Sequence, residues 1–259
     1  MKKSLFLLLF SMLFICGCST STSGSDDSFD SNSSADEVNL YSSSVTFSSS
    51  EFDLSSSSLV LNSSEAYFVD ERDQNVYKIT TIGTQTWMAE NLKYETEYSA
   101  CYASSADSCE KYGRSYTWCG AMNLGSGYSF SYYGAYVDPP YQGVCPVGWH
   151  IPDSTEWNLL ISFVDENNGE ESVGNSLKSK TGWGEGLAGS DRFGFRVIAA
   201  PPANPYTAFN ENYTGFISSS EYSGNPTGFH AYQFSEDIVP IGLDKDMGFD
   251  YFVRCIKDE

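Results

Sequence analysis

Histidine occurs twice in this chain of 259 residues, and Lys plus Arg number fourteen against thirty-four Asp plus Glu. Two imidazoles, His150 and His230, with no Cys-x-x-Cys spacing, supply too few nitrogen and sulfur donors for a zinc-type centre, so neither a metal nor a cofactor is expected. The formal charge of −20 offers no basic footprint for phosphate backbones, which excludes nucleic-acid partners. His-Glu-x-x-His, Gly-x-Ser-x-Gly and a phosphate loop are all missing, and Gly125-Ser-Gly127 lacks the third glycine and the preceding strand of a dinucleotide site. No catalytic residue is assigned, and a non-enzymatic role is expected.

Long apolar runs are also scarce. The stretch from Leu5 to Ile15 follows Met1-Lys2-Lys3 and is too short to span a bilayer comfortably, so residues 1–17 read as a signal peptide. Ile15-Cys16-Gly17-Cys18 resembles a bacterial lipobox, which makes Cys18 the acylated first residue of the mature chain and the membrane its first partner. Serine rather than aspartate at position 19 points, under the commonest bacterial sorting pattern, to the outer membrane. Loss of two lysines with the leader leaves twelve basic and thirty-four acidic residues, a charge of −22. Residues 19–64 then hold twenty serines, seven acids and no Lys or Arg. Such a segment cannot bury enough apolar surface to offset its ordering entropy, so residues 18–64 read as a disordered tether reaching roughly 40 Å as a flexible coil.

Residues 65–259 are long enough for one core. Apolar alternation predicts strands over 67–69, 76–82 and 85–88, with Gly83-Thr84 as a two-residue hairpin connection. A short helix or turn is expected over 116–122, the main helix over 154–166 and a lesser one over 173–178. Aromatic and β-branched runs at 193–198, 215–218, 229–234 and 249–256 read as late strands of an antiparallel sheet. Strands first, helices in the middle and strands last define an α+β domain.

The densest information lies in Cys145-Pro-Val-Gly-Trp-His-Ile-Pro-Asp-Ser-Thr-Glu-Trp157. Asp153 is a good N-cap and Glu156, three residues on, closes a capping box, so a helix starts at Ser154. Trp157, Leu160, Ile161 and Val164 then form one apolar stripe until Asn167-Asn168-Gly169 ends it. Together with Gln85-Thr-Trp-Met-Ala-Glu-Asn-Leu92 and Val253-Arg-Cys255, this run resembles the Fibrobacter succinogenes major paralogous domain of bacterial surface lipoproteins. The resemblance implies a single domain of C-type lectin-like, formylglycine-generating-enzyme-like fold, stapled by disulfides, and carries no activity with it. It pairs Cys145 with Cys255, the cysteines of two of the motifs. Cys101 and Cys109 enclose a short loop and are paired with each other, leaving Cys119 as a free, buried thiol.

Six rings interleaved with Gly and Ser form the candidate recognition loop: Tyr128, Phe130, Tyr132, Tyr133, Tyr136 and Tyr141. Such rings stack on sugars, so a polysaccharide or a surface protein is the expected ligand, although covering the core is the commoner duty of aromatics under a long loop. Asp244, Asp246 and Asp250 partly imitate a calcium loop without its closing glutamate, and a polar turn accounts for them better. His150, inside the anchor motif, reads as a structural imidazole bonded to backbone rather than a general base. The competing functional class is a secreted carbohydrate-active enzyme that uses scattered carboxylates.

Overall fold

The computed structural model of the chain describes residues 66–124, 139–201, 203, 212–222, 227–245 and 251–259. All of them lie in a compact unit spanning Asp53–Glu259. The chain opens as an antiparallel meander of β1 (Ala66–Val69), β2 (Val76–Ile82) and β3 (Gln85–Met88). The β2–β3 connection is Gly83-Thr84, as its turn chemistry predicts, with Gly83 at φ +62°. A Cβ there would lie 2.9 Å from the Phe163 ring, so both backbone angle and space call for glycine.

Next come β4 (Ser99–Ala100), a 3-10 turn at Tyr102–Ser104, α1 (Ala106–Tyr112), β5 (Ser115–Tyr116) and α2 (Trp118–Ala121). Helix α1 is an element that the polar Ala/Ser/Asp composition conceals. Strand β6 (Trp149–His150) leads into α3 (Ser154–Asn167), whose Asp153 side chain accepts from the Glu156 amide while Glu156 reaches back to the Asp153 amide. Helix α4 (Val173–Leu177), capped by Ser172, completes the helical middle. Then follow β7 (Thr214–Glu221), β8 (Gly228–Phe234), β9 (Ile238–Asp244), β10 (Tyr251–Phe252) and β11 (Ile256–Lys257).

These strands form two sheets, β1-β2-β3-β11-β6 and β4-β5-β10-β7-β8-β9. The fold is therefore α+β, but the second sheet is mixed, because β10 runs parallel to β7. Two predicted strands need correction. The 249–256 run is not one strand: β10 joins the second sheet and β11 the first, with Val253, Arg254 and Cys255 carrying the chain between them. Their carbonyls still hold the first sheet in place, since Val253 accepts from the Leu92 amide and Cys255 from the Met88 amide. The 193–198 run is no strand beyond a single bridge between Val197 and Lys178. Positive φ at Asp191, Gly194 and Arg196 interrupts the extended backbone there.

Trp157 is the hub of the core. Its stripe partners Leu160 and Val164 are fully buried, and its ring stacks on Tyr232 at 4.8 Å and tilts against Trp87 at 5.0 Å. Phe216 and Phe195 close the cluster at 5.7 and 6.2 Å. Aromatic pairs at such spacing contribute about 0.5–1.5 kcal/mol each beyond area burial. A second cluster, around Trp118, Tyr116, Met88 and Trp149, lies under the Cys145–Cys255 bridge. The other disulfide joins Cys101 to Cys109, the pairing read from the motifs and loop, and Cys119 is a buried free cysteine in α2.

Candidate functional site

Strand β6 and the first turn of α3 are separated by only Ile151, Pro152 and Asp153, so His150 and Glu156 start from neighbouring backbone. Strand β11 pairs antiparallel with β6, His150 facing Ile256, and brings the following residue pair alongside. His150 Nε2 sits 2.7 Å from Glu156 Oε1, and Nδ1 sits 2.7 Å from Asp258 Oδ1. The second oxygen of Glu156 accepts from the Asp153 amide at 2.9 Å, and the Asp258 amide donates to the Gly148 carbonyl. The imidazole is thus clamped by two carboxylates, one held by the Asp153 amide and the other carried on backbone anchored to Gly148. His150 bonds carboxylates, not backbone as the sequence reading had it.

Electrostatics favour its charged form. Burial alone would push the His150 pKa down, but hydrogen bonds and charge from Glu156 and Asp258 outweigh that and hold it above the ordinary 6.5. A neutral ring would present a lone pair to one carboxylate oxygen, whereas the imidazolium donates to both.

Around this clamp opens a cleft of about 400 Å³, bordered by Pro139, Pro140, Tyr141, Ile151, Asp153, Ser219 and Glu259 as well as the three clamp residues. Pro and Tyr rings supply apolar faces, and carboxylates supply hydrogen-bond acceptors. A broader groove of about 650 Å³ runs beside the Cys101–Cys109 loop, but its Lys93–Glu110 and Arg114–Glu95 pairs, at 2.8 and 2.7 Å, already satisfy its main charges. The smaller cleft is the better candidate because it gathers a buried histidine and the carboxylates that hold it, and such groups cluster where binding or chemistry is organised.

Of the ring residues singled out in the sequence, Tyr141 borders this cleft, half-buried, with its hydroxyl donating to the Met122 carbonyl at 2.8 Å. Tyr128, Phe130, Tyr132, Tyr133 and Tyr136 lie outside the described residues, as do Cys18, Asp246, Asp250 and the side chain of Asp244. Among the described residues no group of three or more His, Cys, Asp or Glu is placed to hold a metal ion. His230 is on β8 with its ring against Tyr222 at 5.1 Å, and burial lowers its pKa. Sequence reasoning missed Asp258 as a site residue. It stands 108 positions from His150, and only the β11–β6 pairing brings them together.

Fold and cleft define a disulfide-stapled α+β domain with an acidic pocket built on the entry to its main helix. The chain belongs to the Fibrobacter succinogenes major domain family, whose profile matches residues 80–257. That span holds all three sequence motifs, with His150 and Glu156 inside it and Asp258 just beyond. No curated protein and no solved structure matches the chain.

Proposed function

We propose that this chain is a non-catalytic binding domain, C-type lectin-like in character, displayed on the outer face of a bacterial outer membrane by a lipid on Cys18. The 18–64 tether carries the domain away from that surface, and the His150 cleft takes a hydroxyl-rich ligand such as polysaccharide. One observation carries the binding reading: both ring nitrogens of His150 already face carboxylate oxygens at 2.7 Å, so neither is free to abstract a proton from a ligand. Flat Pro and Tyr rings beside fixed carboxylates suit sugar faces and hydroxyl donors. The lipobox-like Cys18 and the serine-rich tether support surface display.

Glycan-array binding with the full mature chain tests this reading, alongside an assay for newly released reducing ends. Wild-type protein retains specific polysaccharides without degrading them, and Asp258→Asn and Tyr141→Ala weaken retention. Product formation by the wild type, lost in Glu156→Gln, would replace the reading with a carbohydrate-active enzyme.

A further inference from the structure

The C-terminal end of α1, the segment after β3 and the 196–198 stretch meet around a cavity of about 120 Å³ that shares no residue with the His150 cleft. Four cations line it, Lys93, Lys111, Arg196 and Arg254, against two carboxylates, Glu90 and Glu110. That is an unusual concentration in a chain where acids outnumber Lys and Arg thirty-four to fourteen. Glu110 Oε1 accepts from Lys93 Nζ at 2.8 Å, whereas Glu90 Oε2 accepts from the neutral Lys78 amide at 2.9 Å and its charge also acts on Arg254. Among the described residues, no carboxylate lies within ion-pair distance of Lys111, Arg196 or Arg254.

Arg254 is the telling member, because it is 1% exposed. Its guanidinium donates to Asn91 Oδ1 at 3.1 Å, to the Arg196 carbonyl at 3.0 Å and to the Phe195 carbonyl, all of them neutral acceptors. The Phe195 and Phe216 rings cover it at 4.7 and 5.1 Å. Three hydrogen bonds leave part of its five-donor fork unused, and Glu90 and Asp191 act on its charge only from beyond ion-pair distance, so its burial is incompletely compensated. Asn91 is itself fixed by donating to the Tyr112 carbonyl at 2.8 Å, and Gly113, at φ +80°, lets α1 end against it where a Cβ would come within 2.6 Å.

We propose that this cavity binds one small oxyanion, with Arg254 as the buried counter-charge and Arg196 and Lys111 as the outer contacts. Burial draws the Arg254 pKa down from 12.5 to about 9 against the pull of Glu90 and Asp191, and an anion in the cavity offsets that burial cost by favouring the charged guanidinium. At about 120 Å³ the cavity suits a carboxylate or an inorganic oxyanion rather than an oligosaccharide. A carboxylate on a sugar acid and free phosphate or sulfate share the chemistry. The site is independent of the reading given to the His150 cleft.

Titration of the full mature chain with galacturonate, galactose, acetate, inorganic phosphate and sulfate, followed by calorimetry and by the Arg254 Nε–H resonance, tests it. One-site saturable binding of at least one anion, with none of galactose and a shifted Arg254 signal, is the expected result. The Lys111→Ala/Arg196→Ala variant alters exposed side chains, so it keeps its melting temperature while its affinity falls about tenfold or more. Preference for galacturonate over acetate and phosphate assigns the carboxylate of a sugar acid, and the reverse preference assigns a free oxyanion. Absence of saturable binding by every anion, or equal binding by the double variant, overturns the proposal.

Discussion

Protonation of His150 ties three segments together: β6, the first turn of α3 through Glu156, and the residues after β11 through Asp258. Because the folded pKa lies above 6.5, the folded state binds this proton more tightly than the unfolded chain does. The resulting stabilisation is complete below the unfolded pKa and is lost as pH rises through the raised folded value. The melting temperature of the wild type therefore falls over that interval relative to His150→Gln, whose profile is flat in this contribution. An NMR titration placing the His150 pKa at or below 6.5 would refute the clamp. At this scale the sequence revealed Asp153 and Glu156, whose capping roles depend on spacing of three residues. Asp258 was illegible because nothing in a local window relates it to a histidine 108 positions away.

Among the elements, α3 was readable in advance because a capping box and a 3.6-residue stripe are both local signals. The two late misreadings have the opposite origin. Runs at 193–198 and 249–256 carry strand composition, yet one supplies carbonyls to a buried arginine and the other divides between sheets. That division puts Cys255 beside Cys145, closing a separation of 110 residues, whereas Cys101 and Cys109 close only 8. Chain entropy assigns the long loop roughly 4–5 kcal/mol and the short one roughly 2–3. A domain's net stability is only about 5–15 kcal/mol, so Cys145→Ala/Cys255→Ala should melt far below Cys101→Ala/Cys109→Ala in thermal scans. Equal melting temperatures would mean that the long bridge constrains the unfolded chain less than its length implies.

For the whole molecule, the anchor and the folded unit make separable predictions. Cys18→Ala releases the protein from membranes, and intact-mass analysis of the wild type shows acyl mass on a chain that starts at Cys18. A wild-type chain without acyl mass rejects the anchor. Deleting residues 19–64 is expected to leave the domain's melting temperature nearly unchanged, since a serine-rich composition disfavours burial. A drop of many degrees would make that segment part of the fold. Net charge acts at this scale too. Strong negative charge disfavours acidic surfaces as partners, and the cavity lined by Lys111, Arg196 and Arg254 is a local exception to that balance.

The sequence alone determined the family, the α+β class, the first three strands and the main helix, because motif order, alternation and capping are written in residues that stand close together. Its cysteine positions, with the family motifs, also pointed to both disulfides. Only the tertiary structure decided that β10 and β11 belong to different sheets, that His150 is held by Asp258, and that cations scattered from position 93 to 254 meet in one pocket. Those facts depend on strand pairing and packing between distant segments, where hydrogen bonds and burial are settled by the assembled core and no local pattern of side chains records the outcome.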